Sequence, residues 1–194
     1  MIPAEQLLQG YANGIFPMAD GKNGKVKWFQ ADPRGIIDLN EYHVPKRLMR
    51  YIRNTLYNVT FDQSFKEVIT LCSQRPEDQG IWISDEIIDS YYNLFTLGFA
   101  HSVEVRIDKT LVAGLYGVAL RCAFFGESMF NYPEYPNTSK IALYYLIQRL
   151  IKNKFMLLDI QMITSTTQQF GAKLISKSEY HFLLEQALQN ECHY

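Results

Sequence analysis

LVAGLYGVALRCAFFGESMF, residues 111–130, decides the fold. Apolar and β-favouring side chains fill it, and Arg121 divides it into two strand-length runs, roughly 111–119 and 122–130. Just upstream, residues 102–107 alternate. Val103, Val105 and Ile107 lie on one face and Ser102, Glu104 and Arg106 on the other, the pattern of a half-buried strand. Asp108, Lys109 and Thr110 supply the turn. Consecutive antiparallel strands are therefore predicted at the centre of the chain. The last of them carries one carboxylate, Glu127, among Phe124, Phe125, Met129 and Phe130. Burying such a group without partners is costly. Three readings stand: an edge position facing water, a structural hydrogen bond, or a ligand site.

Outward from this centre, residues 3–13 read as a helix, with Pro3 at its start and Gly14 beyond its end. Residues 15–38, rich in Gly, Pro and charge, read as a loop. Its Phe16, Met18, Trp28 and Phe29 either pin it to a core or serve recognition. Residues 43–54 read as a helix carrying the densest basic cluster, Lys46, Arg47, Arg50 and Arg53, which is either a solvated face or a phosphate contact. After a short strand at 59–61, Asp62 is expected to cap a helix in which Phe65, Val68, Ile69 and Cys72 form a core-facing stripe. A polar loop is expected at 74–80 and a second helix at 85–97, preceded by Trp82 as core anchor or stacking platform.

Downstream, NYPEYPNT (131–138) is an irregular loop, residues 139–152 form a helix with a wide apolar face, and LLDIQMI (157–163) is a buried strand. Strict alternation would point Asp159 and Gln161 the same way, so that strand holds either a site or a structural polar network. Ser176 and Glu179 form a capping box for a last helix, to about 190. The expected fold class is α+β, with a mixed, largely antiparallel sheet and flanking helices. Two parts are expected: residues 1–38 as an N-terminal appendage and 39–194 as the main domain.

Composition bounds the function. With 47% hydrophobic residues and 14% aromatic, the chain can bury a core, and a formal net charge of −1 implies no nucleic-acid-coating surface. Cys72, Cys122 and Cys192 form no CxxC pair and are odd in number, which argues against disulfides or zinc and for a reducing compartment. No signal peptide is evident and no apolar run approaches the ~20 residues of a membrane span, so a soluble cytoplasmic protein is expected. His43, His101, His181 and His193 are scattered, and HExxH, the phosphate-binding loop and GxSxG are absent. Gln168-x-x-Gly171-x-Lys173 matches the acyl-CoA loop of N-acetyltransferases only in part. Carboxylates and an amide, without a thiol nucleophile or metal site, suit the orientation of two bound substrates.

Several segments in order resemble the bacterial leucyl/phenylalanyl-tRNA–protein transferase family: YANGIFPM (11–18), ADPRGII (31–37), IWISDEII (81–88), AHSVEV (100–105), AGLYGVAL (113–120), FFGESMF (124–130), TSKIAL (138–143), LLDIQ (157–161) and FGA (170–172). The resemblance implies an acetyltransferase-like (GNAT) fold in which aminoacyl-tRNA replaces acyl-CoA, with the N-terminal part shortened. It implies transfer of Leu or Phe, and also Met, from charged tRNA to the N-terminal amine of proteins starting with Arg or Lys. That product is an N-degron, and the reaction uses no metal or cofactor. Catalytic roles fall to Asp159, Gln161 and Glu127, with Gln161 as base or orienter. Substrate contacts fall to Trp82, Leu115, Phe124, Met129, Leu143, Leu146, Leu150, Met18 and Trp28. The tRNA acceptor stem would meet Lys46, Arg47, Arg50 and Arg53, aided by Lys152 and Lys154. A monomer is expected, and Asp159→Ala and Glu127→Ala are each expected to lose transfer while remaining folded. Met18, Thr164 and Thr166 depart from the family pattern and leave donor and acceptor identity open. Two other readings stand beside it: an acyl-CoA-dependent GNAT acyltransferase, and a non-catalytic tRNA- or degron-binding module.

Overall fold

A computed structural model describes residues 1–22, 24–53, 56–74 and 80–194. Seven strands form one sheet in the order β4-β5-β6-β7-β8-β3-β9. In chain order these are β3 (Arg34–Ile37), β4 (Tyr57–Phe61), β5 (Ala100–Ile107), β6 (Thr110–Leu120), β7 (Ala123–Asn131), β8 (Leu157–Gln161) and β9 (Lys173–Ile175). Every neighbouring pair is antiparallel except β7 and β8, which run parallel. A separate hairpin pairs β1 (Phe16–Ala19) with β2 (Val26–Phe29).

Helices cover both faces. On one side α1 (Ala4–Ala12), α3 (Phe65–Ser73), α4 (Asp85–Thr96) and α7 (Lys177–Leu188) bury their apolar stripes against Tyr116, Val118 and Phe125. On the other, α2 (Leu48–Ile52) and α5 (Thr138–Lys152) cover Val103, Leu115, Phe124 and Leu158. The stripe of α5 is what buries it: Ile141, Leu143, Leu146, Ile147 and Leu150 are all buried. A one-turn helix α6 (Ser165–Gln168) starts at Thr164, whose hydroxyl accepts from Thr167 N–H while Thr167 reciprocates. The α+β class with a mixed, largely antiparallel sheet and flanking helices is the architecture expected for an acetyltransferase-like chain.

Several local expectations change. The loop expected over 15–38 contains three strands, and β3 lies inside the main sheet between β8 and β9, so residues 34–37 are continuous with the fold that follows position 38. Gly and Pro there punctuate strands rather than prevent them. The basic helix is confined to Leu48–Ile52, and its expected last residue, Asn54, lies outside the described residues, as does most of the loop expected at 74–80. Asp62 does not cap α3. Ser64 occupies that position, while Asp62 accepts from Ser102 N–H at 2.8 Å and meets His101 Nδ1 at 2.9 Å. β5 is buried on both faces, because Glu104 is satisfied by Thr60 Oγ1 at 2.7 Å and Ser102 Oγ at 2.6 Å.

The cysteine reading is overturned: Cys122 and Cys192 are disulfide-bonded, and Cys72 is buried outside that bond. A separation of 70 residues carries no motif. The pair meets because the β6–β7 turn lies beside the last turn of α7, where Cys122 N–H donates to Ala187 C=O at 3.1 Å. Among the described residues, no helix is long and apolar enough to cross a membrane.

Candidate active site

Two β-bulges build the site. Tyr116 pairs with Ser128 and Gly117 with Gly126, so Glu127 is the extra residue of β7. The side chains on either side register this: Phe124 and Met129 face the α5 layer while Phe125 and Phe130 face the other, a phase change that strict alternation forbids. On β8, Ile36 pairs with Asp159 and Gly35 with Gln161, which leaves Ile160 as the extra residue. Gln161 ends the strand at φ +54°, in the left-handed region. Parallel pairing of β7 with β8 stops at Phe125 and Asp159. Beyond that point Gln161 Nε2 donates across to Glu127 Oε1 at 3.2 Å.

Asp159 sits one layer behind and is fully buried. Arg34, also fully buried, donates from Nε to Oδ1 at 3.0 Å and from Nη2 to Oδ2 at 2.7 Å. Tyr180 Oη donates to Oδ2 at 2.6 Å, and Gln161 N–H to Oδ1 at 2.8 Å. The remaining Arg34 fork reaches Gly14 C=O at 2.9 Å, with the guanidinium held between the rings of Phe16 and Tyr180 at 4.9 and 4.5 Å. Burial opposes the charge of Arg34, and the Asp159 carboxylate more than offsets it, so its pKa is raised.

A cleft of about 820 Å³ opens where β7 and β8 part. Leu115, Met129, Leu143, Leu146 and Leu158 line it together with Glu127 and Gln161, and Glu127 is the one carboxylate among its described lining residues, which include no His, Lys or Arg. Burial pushes the Glu127 carboxyl up to about 7, against the pull of hydrogen bonding from Tyr11 and Tyr91. Tyr91 Oη donates to Glu127 Oε2 at 3.2 Å, and Tyr11 Oη contacts Tyr91 Oη behind it. A carboxylate poised near neutrality in a cleft can hold a cationic amine and take a proton from it. Among the described residues, no group of three or more His, Cys, Asp or Glu side chains is placed to hold a metal ion.

Residues 36–185 match the family model described as leucyl/phenylalanyl-tRNA protein transferase, and residues 1–32 match the model of that family's N-terminal domain. The chain belongs to the leucyl/phenylalanyl-tRNA protein transferase family. It is similar to the leucyl/phenylalanyl-tRNA–protein transferase of Gloeobacter violaceus, at 42% identity over 97% of this chain and 95% of the relative. Identity to the same-named protein of Phenylobacterium zucineum is 45%, over 95% of this chain and 84% of the relative. The solved structure of L-PGS from Bacillus licheniformis shares the fold, with a TM-score of 0.52 at 12% identity, covering 95% of this chain and 70% of that one.

For a member of this family, the residues singled out in the sequence fall into five places. Glu127, Gln161, Trp82, Met18, Leu115, Met129, Leu143 and Leu146 line the cleft, with Ala19 N–H bonded to Trp82 C=O at 2.9 Å. Asp159 does not line it and lies behind Gln161. Phe124 and Leu150 are buried in the α5 layer, outside the cleft lining. Trp28 packs on α1 instead, where a Cβ at Gly10 would stand 2.3 Å from its ring. Lys46, Arg47, Arg50 and Arg53 are exposed around α2, away from the cleft lining, and Arg47 and Arg50 border a hollow of about 310 Å³ with Tyr51 and Tyr57. Thr164 and Thr166 line the cleft.

Four participants escaped the sequence reading. Arg34 fell within the expected loop, and Tyr11, Tyr91 and Tyr180 fell within expected helices with no role assigned to them. The one signal for Arg34 was its place between Pro33 and the apolar run Gly35–Ile37, too short to imply a strand.

Proposed function

We propose that this chain transfers an amino acid, Leu or Phe and also Met, from charged tRNA to the N-terminal amine of a protein that starts with Arg or Lys. The observation that carries the reading is the cleft itself. It joins a wall of aliphatic side chains, suited to an apolar donor, to Glu127, the one carboxylate among its described lining residues. A cationic N-terminus is attracted to that carboxylate. The pocket separates similar apolar donors weakly, since one methylene is worth ~1–3 kcal/mol.

In the reaction, the acceptor nitrogen attacks the ester carbonyl that joins amino acid and tRNA ribose. A C–N bond forms, the C–O bond breaks, and the ribose oxygen leaves with a proton. Glu127 receives the proton that the attacking amine loses and returns it to the departing ribose oxygen, with its carboxyl near 7 and a free α-amine at roughly 7.7–8. Gln161 holds Glu127 from one side and Tyr91 from the other. Trp82 and Met18 accommodate the 3′ adenosine. The exposed cations Lys46, Arg47, Arg50 and Arg53, with Lys152 and Lys154, contact the acceptor-stem phosphates without reading sequence. We place the monomeric enzyme in the cytoplasm, where its product is an N-degron.

The test uses purified protein, a panel of radiolabelled charged tRNAs and peptides beginning with Arg, Lys or Ala. Label is expected to pass from Leu-, Phe- and Met-tRNA to the Arg and Lys peptides. Tight tRNA binding without transfer would instead make the chain a binding module, and labelling only from acyl-CoA would make it an acyltransferase.

A further inference from the structure

Asp159 has no carboxylate oxygen left for a substrate. Oδ1 accepts from Arg34 Nε and from Gln161 N–H, and Oδ2 accepts from Arg34 Nη2 and Tyr180 Oη. It is fully buried and absent from the cleft lining. What it touches on the side of the cleft is the backbone of Gln161, a non-glycine residue at φ +54°. Such a conformation is unfavourable for a residue with a side chain and persists only where surrounding contacts determine it.

We propose that Arg34 and Tyr180 are positioning residues, which clamp the Asp159 carboxylate so that it holds Gln161 in its left-handed conformation and its amide on Glu127. The geometry is specific at each step. Arg34 presents a planar fork from β3, the strand next to β8, and its third donor is tied to Gly14 C=O at 2.9 Å. Tyr180 adds one hydroxyl from α7 and stacks its ring on the same guanidinium. Three elements distant in sequence thus converge on one carboxylate. At Gln161 the backbone N–H is bound to Asp159 and the side-chain amide to Glu127, 3.2 Å away. Without the clamp, Asp159 can rotate, Gln161 can return to an ordinary strand conformation, and the amide leaves the glutamate.

The consequence for amino-acid transfer rests on the function proposed above, whereas the clamp itself can be read without any substrate. Tyr180→Phe is the informative variant, because it removes one hydroxyl and keeps the ring against Arg34. Loss of one hydrogen bond to a charged group corresponds to roughly a 10- to 100-fold effect. We expect kcat to fall about tenfold or more by this scale, while KM for charged tRNA moves less than about twofold. Tyr180→Phe combined with Gln161→Ala should be no slower than Gln161→Ala alone, since the two substitutions remove one function. Independently, the side-chain amide NMR signal of Gln161, assigned by its loss in Gln161→Ala, should shift and exchange faster with water in Tyr180→Phe. Arg34→Lys, which keeps the charge and loses the fork, should move the same signal. An unmoved signal in a folded Tyr180→Phe protein, or losses that add in the double variant, would overturn the proposal. If the wild-type protein transfers no amino acid, the functional reading falls, and the amide signal still decides the clamp.

Discussion

At Glu127 a single side chain links stability to pH. Its carboxyl titrates near 7 in the folded protein, above the ordinary 4.5, because burial disfavours its charge. The folded state therefore binds more protons than the unfolded state between these values, so this residue's contribution falls as pH rises through that window. Glu127→Gln removes the effect. Its Tm relative to wild type should rise from pH 5 to pH 7.5 and then level off, as scanning calorimetry across that range would show; a constant difference would contradict the raised value. The same substitution should strip one ionisation from the pH profile of kcat/KM and leave that of the substrate amine. At Asp159 the structure changes the expectation drawn from sequence. Asp159→Ala leaves Arg34 buried without its counter-ion, and breaking such a pair costs about 3–5 kcal/mol. The variant should unfold at distinctly lower urea than wild type, with Asp159→Asn intermediate. Equal urea midpoints would show that the pair contributes nothing net.

At the scale of elements, β5 to β8 were legible, whereas β1, β2, β3 and β9 and the irregularities of the central strands were not. Period-two alternation located β5, apolar β-favouring runs located β6 and β7, and the stripe on α5 located its buried face. Unbroken pleating would put Glu127 on one face with Phe125 and Met129, and it set Asp159 beside Gln161. Both pairs straddle a bulge, where one extra residue shifts the phase. No residue type marks a bulge by itself, so FFGESMF and LLDIQ showed that something polar was housed there and not which way it pointed. The nearest clue was Gly117, opposite the β7 bulge. A Cβ there would stand 2.3 Å from Phe125 O and 2.4 Å from the Phe124 ring. Gly117→Ala should therefore force the β6–β7 register apart and cost about 1–3 kcal/mol, the usual penalty of overpacking. Thermal unfolding would read the loss, and a Tm within experimental error of wild type would show that the bulge can absorb a methyl group.

Across the whole molecule, the long-range contacts were the least legible, because chain distance hides them. Arg34 and Asp159 are 125 residues apart, and Cys122 and Cys192 are 70. The disulfide fastens the segment after α7 to the β6–β7 turn, and two residues further on Tyr194 lies between the His101 ring at 3.9 Å and the Arg149 guanidinium at 4.6 Å. Tyr194 also stacks on Phe124 at 5.4 Å, a side chain of the layer that backs the cleft wall. By chain entropy, closing a loop of this length stabilises the fold by about 4 kcal/mol, and for a chain of this size that is roughly 10 °C in Tm. A reducing medium opposes the bond, so the comparison that matters is made with and without reductant. Oxidised protein, once unfolded, should expose one reactive thiol, that of Cys72, and its Tm should fall on reduction. Cys192→Ser should reproduce the lower value and be insensitive to reductant. Three reactive thiols in the oxidised protein would show that the bond does not form, and an unchanged Tm on reduction would show that Tyr194 and its aromatic neighbours hold the segment without it.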